Sequence, residues 1–264
     1  MLRRRLGVFG WPVAHSRSPA MHTAALAAAG LDGWSYGRLP VPPALFAETA
    51  RALGNAGFRG ANVTIPHKAA ALLVADEATE TARAIGAANT LTYRPDGSIH
   101  ADNTDAPGLM EAIGDAPHAT AVVLGAGGTA SAAVWALQAA GADVKVWNRT
   151  PERARALGAD VLRPDAALPP ADLLCNCTSV GLGDPSKTFK ELPLEPDALS
   201  TYATVVDLVY RPGGTALELA ARERGVAVVG GLEVLVRQGA RSFRTWTGRD
   251  ADLSVMRSAV ADPP

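Results

Sequence analysis

Apolar residues recur along this chain in two alternating rhythms. Short runs of β-branched and aromatic residues mark strands, and longer stretches with apolar positions three and four apart mark helices. In the first half the pattern predicts a strand at Leu6–Gly10, a helix over Pro19–Ala29, a strand at Trp34–Leu39, a helix over Leu45–Leu53 and a strand at Gly60–Thr64. That alternation suggests βαβ units and a largely parallel sheet. In the second half Val122, Val123 and Leu124 supply a strand, an Ala-rich helical stretch closes at Gly141, and Val144, Val146 and Trp147 alternate in a second strand. Strands follow at Asp172–Cys177, Val205–Leu208 and Ala227–Val229. Leu232, Leu235, Val236, Phe243 and Trp246 then make the tail an amphipathic helix. The uncharged run from Ala119 to Ala142 is long enough to span a bilayer, but Gly125, Gly127, Gly128 and Gly141 divide it into strand and helix lengths. There is no internal repeat and no low-complexity linker.

The segment from Ala121 to Thr150, AVVLGAGGTASAAVWALQAAGADVKVWNRT, reads as half of a dinucleotide-binding fold. In its G-x-G-x-x-A pattern Gly125 allows the tight turn, Gly127 allows close approach of backbone to a pyrophosphate, and Ala130 is small enough for the helix to pack on the sheet. Ala126, Gly128 and Thr129 complete the turn, where the first N–H groups of the helix are free for phosphate oxygens. A turn without ligand is the plainer alternative for the pattern taken alone. The second strand ends not on an acid but on Asn148, Arg149 and Thr150. Arg149, with Arg153 a turn further on, suits a 2′-phosphate; such charge-assisted bonds are worth roughly 1.5–3 kcal/mol each, so NADP is expected over NAD by tens-fold or more. Glu152, the only acid nearby, falls at the start of the next helix, where it complements the dipole.

Composition narrows the picture. The chain has 264 residues, 48% of them hydrophobic and 19% charged, with a net charge of −1. That suits a globular protein of one large or two small domains and gives no reason to expect nucleic acid or an anionic membrane as partner. The basic triplet Arg3–Arg5 precedes an apolar run too short for a convincing signal peptide, so the cytoplasm is the default. Cys175 and Cys177 lie on one face of a predicted strand and read as small buried hydrophobes, and no metal site is expected. Only Lys68, Lys145, Lys187 and Lys190 among the 25 basic residues are lysines. Because lysine but not arginine can exchange a proton near neutral pH, Lys68 gains weight.

Three polar segments outside the nucleotide motif carry candidate chemistry. In GANVTIPHK (60–68), Pro66 is placed as the first residue of a helix, Asn62 and Thr64 at a strand end, and Lys68 in the helix's first turn. Lys68 there is either a solvated surface residue or a proton-transfer group. In HSRSP (15–19), Ser18 stands where a helix N-cap is expected, while Ser16 and Ser18 together with the helix N-terminus also suit a carboxylate. Asn89-Thr90 and Asp102-Asn103-Thr104-Asp105 are rich in short polar side chains fit for several hydroxyls, with Asp105 otherwise an N-cap.

These segments together resemble the shikimate dehydrogenase family. The likeness runs through HSRSP (15–19), NVTIPHK (62–68), GAANT (86–90), DNTDAPG (102–108), GAGGTA (125–130), NRT (148–150), NCTSVG (176–181), DLVYRP (207–212) and GLEVLVRQGARSF (231–243). The resemblance implies an α/β protein with two domains: an open mixed-sheet substrate domain over 1–104, a Rossmann NADP domain over 105–231, and a helical segment over 232–264 returning to the first domain. It implies NADPH-dependent reduction of 3-dehydroshikimate to shikimate, reversibly, on the route to the aromatic amino acids. By the family's pattern Lys68 and Asp105 are the catalytic pair. Ser16, Ser18 and Tyr210 match contacts to the substrate carboxylate, and Asn62, Thr64, Asn89, Asp105 and Gln238 match contacts to its hydroxyls. The pattern adds Thr178 and Gly231 to the cofactor residues. Partners are then small molecules, with the protein a monomer or homodimer. Ala106, Pro107 and Glu233 depart from residues common in the family. The rival readings are an NAD-preferring quinate/shikimate dehydrogenase and a non-catalytic NADP-binding sensor.

Overall fold

Two six-stranded sheets organise the chain in a computed structural model that describes residues 4–115 and 118–261. By contacts the chain forms two units, one running to Gly108 and resuming at Leu235, the other spanning Leu109–Val234.

In the first unit the order is β1 (Arg4–Gly10), α1 (Ser18–Ala28), β2 (Trp34–Pro40), α2 (Phe46–Leu53), β3 (Phe58–Val63), α3 (Lys68–Val74), β4 (Glu77–Ala78), α4 (Glu80–Ile85), β5 (Thr90–Tyr93), β6 (Ile99–Asp102) and α5 (Asp105–Ile113). The strand order is β2-β1-β3-β5-β6-β4. The sheet is mixed, as the resemblance implies, and not largely parallel as the alternation alone suggests. β1 runs parallel to β2 and β3, but β5 is antiparallel to both β3 and β6. Strands β4, β5 and β6 were not anticipated, because β5 and β6 form a short hairpin whose ends are the polar runs around Asn89 and Asp102. Polar side chains there mask the alternation Leu91, Tyr93, Ile99 and Ala101, all buried in the core with Phe9, Phe46 and Val63.

In the second unit follow β7 (Thr120–Leu124), α6 (Gly128–Ala139), β8 (Asp143–Trp147), α7 (Pro151–Arg155), β9 (Asp160–Val161), β10 (Ala171–Asn176), α8 (Thr188–Glu191), β11 (Tyr202–Asp207), α9 (Ala216–Glu223) and β12 (Ala227–Gly230). All its strand pairs are parallel, in the order β12-β11-β10-β7-β8-β9. Val123, Val146, Cys175 and Val206 meet Ala130, Ala133 and Leu137 of α6 in one buried cluster, which is why an uncharged helix suits this place. Gly141 closes α6 with φ at +90°, a conformation that favours glycine. The chain then enters α10 (Gly231–Thr247), which carries it back to the first unit, and continues to α11 (Leu253–Ala261), packed on α1; the helical pattern read from Leu232 to Trp246 did not mark α11 as a separate helix. No helix among the described residues is long and apolar enough to cross a membrane.

Candidate active site

Three helix starts come out one or two residues away from the sequence expectation, and each difference frees a functional group. Ser18 is the first residue of α1 rather than its cap; Arg17 holds the cap position without a side-chain bond, and the Ser16 hydroxyl accepts from the Ser18 N–H at 3.3 Å. Pro66 lies in the turn before α3, which begins only at Lys68. Asp105 opens α5 but does not cap it: Asn103 Oδ1 accepts from the Asp105 and Ala106 N–H groups at 3.0 and 3.3 Å. The Asp105 carboxylate is therefore available to other partners.

Its partner is Lys68. Nζ donates to Asp105 Oδ2 at 2.6 Å, with side-chain exposures of only 10% and 14%. Near the water-poor wall of a folded unit such a charge-assisted bond is far stronger than a surface pair. The other carboxylate oxygen, Oδ1, accepts from Asn89 Nδ2 at 2.8 Å. Asn89 Nδ2 also reaches Thr104 Oγ1 at 2.9 Å and Gln238 Oε1 at 3.1 Å, while its Oδ1 accepts from the Thr104 N–H at 2.8 Å. That backbone donor settles the orientation of the amide, so NH2 and not C=O faces the acid. Asn89 thus brackets Asp105, a role beyond the hydroxyl contact that the family pattern suggests.

Asn62 lies behind this pair. Its Oδ1 accepts from Tyr36 OH at 2.8 Å, and its Nδ2 donates to Ser242 Oγ at 2.9 Å and Asn89 O at 3.2 Å. Gln238 turns its Nε2 onto Leu235 O at 2.8 Å, one turn back in its own helix. Gly108 makes this proximity of α5 and α10 possible, since a Cβ there would lie 2.8 Å from both the backbone N and the Cβ of Gln238. Ser16 and Ser18 are buried on the same unit, and Arg38 donates to the Ser16 carbonyl at 2.8 Å. Thr64 is half-buried at the end of β3, its methyl against Gly10. Tyr210 belongs to the second unit.

The second unit holds the nucleotide residues. Gly125, at φ +111°, turns the chain after β7; a Cβ would meet the Cys177 carbonyl at 3.2 Å, so the loop after β10 also demands glycine here. Gly127 occupies the cap position of α6 with no side-chain cap, and nothing lies within 4 Å of where its Cβ would be. Backbone N–H groups and open space together fit a pyrophosphate. Ala126, Gly128 and Thr129 continue that turn, and Ala130 is fully buried under it. After β8, Asn148 Nδ2 donates to Thr150 O at 2.7 Å, which shapes the bend. Arg149 and Arg153 are exposed, while Glu152 pairs with Arg155 at 3.3 Å. The residues present therefore fit NADP, with Arg149 and Arg153 exposed after β8 as guanidiniums that stay charged in water and suit a phosphate.

Two expected cofactor residues do structural work. Thr178 Oγ1 donates to Asn176 Oδ1 at 2.7 Å and accepts from the Val180 N–H, organising the loop after β10. Gly231 sits where a Cβ would lie 2.6 Å from the Leu208 carbonyl, so α10 can start only on a glycine. Asp207, missed by the sequence reading, anchors this end of the sheet. It accepts from Thr215 Oγ1 at 2.5 Å, Asn176 Nδ2 at 2.9 Å and the Val209 N–H at 3.1 Å. Burial pushes its carboxyl up to about 6 against those three bonds. Cys175 and Cys177 are free thiols with their sulfurs 3.5 Å apart, and the described residues contain no cluster of three metal-ligating side chains.

The chain is similar to known proteins along nearly its whole length. Residues 8–91 match the family model for the shikimate dehydrogenase substrate binding domain, and residues 231–261 match that for the shikimate 5′-dehydrogenase C-terminal domain. The chain is 48% identical to the shikimate dehydrogenase (NADP(+)) of Methylobacterium radiotolerans, over 92% of this chain and 91% of that one. It is 46% identical to the counterpart from one strain of Thermus thermophilus, over 97% of both. Among solved structures it is similar to the shikimate 5-dehydrogenase of another Thermus thermophilus strain in complex with NADP(H) and shikimate, with a TM-score of 0.86, 42% identity and 98% of each chain covered.

Proposed function

The chain belongs to the shikimate dehydrogenase family and is an NADP-dependent oxidoreductase of the shikimate pathway; from that premise we propose that Lys68 and Asp105 handle the proton while the reacting carbon exchanges hydride with the nicotinamide. The observation that carries this reading is the shielded 2.6 Å Lys68–Asp105 pair, bracketed by Asn89. In the oxidative direction Lys68 Nζ first releases a proton to solvent and then, as the neutral amine, takes the proton of the hydroxyl at the 3-position; in the reductive direction the ammonium gives its proton to the 3-dehydroshikimate oxygen and is reprotonated from solvent. Asp105 fixes the ammonium and accepts from an adjacent hydroxyl. NADP, when bound, supplies the hydride exchange.

Ser16 and Ser18 hold the substrate carboxylate, and Asn62, Thr64, Asn89 and Gln238 complete the hydroxyl contacts. Gly125, Gly127, Gly128 and Thr129 lay backbone along the pyrophosphate, and Asn148, Arg149, Thr150 and Arg153 take the adenosine end. The unit that runs to Gly108 and resumes at Leu235 is the substrate unit, the other the cofactor unit, and the protein works in the cytoplasm.

Initial rates of oxidation of shikimate and of quinate, each with NADP⁺ and with NAD⁺, test the reading. Fast turnover confined mainly to shikimate with NADP⁺ is the expected result. Comparable rates with NAD⁺ would remove the role given to Arg149, and comparable rates with quinate would remove the carboxylate and hydroxyl assignments. No turnover in any pairing would overturn the catalytic reading.

A further inference from the structure

One hydroxyl lies at the centre of the polar floor beneath the Lys68–Asp105 pair. Ser242 is fully buried on α10, four residues after Gln238 and so on the same helix face. Its Oγ is 2.9 Å from Asn62 Nδ2, 2.8 Å from Thr90 Oγ1, 3.2 Å from Thr104 Oγ1 and 3.2 Å from the Gln238 carbonyl. Those partners come from β3, β5, the residue before α5 and α10 itself. Thr90 passes the connection on, donating to Asn89 Oδ1 at 3.0 Å, and Asn89 holds Asp105. At the far edge Tyr36 OH fixes the opposite end of the Asn62 amide, its ring stacked on His22 at 4.4 Å.

We propose that Ser242 is a positioning residue of the reaction, with Tyr36 as its outer support: it sets the rotamers of Asn62 and, through Thr90, of Asn89, and thereby the aim of Asp105 at Lys68. The inference rests on the proposed Lys68–Asp105 chemistry. Ser242 has no solvent-exposed surface, so its hydroxyl acts through its neighbours. Its hydroxyl has one proton and two lone pairs for four neighbours, so the direction of every bond around it is coupled to the others. An alanine at this position keeps the packing but leaves Asn62 Nδ2 with only the weaker 3.2 and 3.4 Å contacts to Asn89 O and Thr90 Oγ1, and the amide gains freedom. Catalytic groups lose rate steeply with small errors of aim.

The experiment compares Ser242→Ala and Tyr36→Phe with the wild-type protein in steady-state shikimate oxidation, with NADP⁺ affinity and thermal midpoint measured alongside. For Ser242→Ala the expected result is a fall in kcat of about tenfold or more, on the scale of a lost buried hydrogen bond to a catalytic bracket, with KM for NADP⁺ unchanged. Tyr36→Phe is expected to act mainly on KM for shikimate, raising it about threefold to tenfold through Asn62, and to leave NADP⁺ affinity alone. Wild-type kinetics in both variants, or a lowered thermal midpoint with kcat and KM intact, overturns the proposal in favour of a purely structural hydroxyl. If Ser242→Ala fails to fold, Tyr36→Phe decides. Wild-type turnover in the same assay tests the family chemistry separately, because the proposal concerns only the ratio of variant to wild type.

Discussion

The two units bury polarity in opposite ways. The unit built on the mixed sheet encloses neutral amides and hydroxyls, Asn62, Asn89, Thr90, Thr104, Gln238 and Ser242, around the Lys68–Asp105 ion pair. The unit built on the parallel sheet buries little that is polar beyond Asn176, Thr188, Asp207, Thr215 and Glu218, and leaves Arg149 and Arg153 in solvent. The difference follows from what each has to hold. Moving one proton requires a few donors and acceptors with a single allowed orientation and little competing water. Holding phosphates requires exposed backbone N–H groups and cations that stay charged in water. A mixed sheet suits the first task because its β5–β6 hairpin brings Asn89 and Asp102–Asp105 to one end, beside the C-terminal end of the parallel strand β3.

The largest effect that separates the units is expected from Lys68→Ala. Loss of a positioned acid–base group costs about 10²- to 10⁴-fold in kcat. Steady-state kinetics should show that loss with little change in KM for NADP⁺, since the lysine belongs to the substrate unit; a comparable loss of NADP⁺ affinity would undo the division of labour.

Next comes acid. His22 is fully buried between Tyr36 and Trp246, and desolvation holds its ring down to about 3, against a partial opposing effect of an Asn62 hydrogen bond. The unfolded chain takes up that proton near 6.5, so the stability contributed by a neutral His22 is present above 6.5 and is lost as pH falls toward 3. Urea midpoints measured at about pH 7 and about pH 4.5 should fall more for the wild type than for His22→Phe, by roughly 2.5 kcal/mol of stability.

Arg149→Ala sharpens the comparison from the other side. Removing one guanidinium from the 2′-phosphate should raise KM for NADP⁺ about tenfold or more and leave KM for NAD⁺ and for shikimate nearly unchanged. An equal effect on both cofactors would place Arg149 elsewhere than on the phosphate.

The smallest effect belongs to Asp207, whose sign is opposite to that of His22. Its folded carboxyl is raised to about 6 from an ordinary 3.8, so its contribution is fully present below 3.8 and is lost as pH rises through 6. Between about pH 5 and about pH 6, Asp207→Asn should remove a decline of about 1 kcal/mol, read as the pH dependence of the urea midpoint of the cofactor unit. The bonds from Thr215, Asn176 and Val209 keep the charged form tolerable at neutral pH.

Legibility differed between the units for a physical reason. Around Gly125 every cue is local: strand, turn, helix and Arg149 lie within thirty consecutive residues, and each is demanded by backbone geometry that one segment imposes on itself. The proton-handling site assembles from β3, α3, β5, α5 and α10, and the contacts among them are decided by which strands pair. Asn89 and Asp105 were visible as polar residues, but that one brackets the other depends on the β5–β6 hairpin. Ser242 lies inside the matching stretch 231–243, but neither it nor Tyr36 stands out there as a functional residue, because a serine within an amphipathic helix and a tyrosine in a strand are ordinary.

Residue order by itself determined the alternation of helices and strands, the glycine turn, the arginines after β8 and, through the run of matching motifs, the family, since these rest on spacing and on local conformational preference. The tertiary structure alone decided that Asn103 and not Asp105 serves the start of α5, that Asn89 brackets the Asp105 carboxylate, and that one buried hydroxyl ties four segments together. A hydrogen bond between residues far apart in sequence exists only once the sheet has paired and water has been excluded, and no local pattern encodes that event.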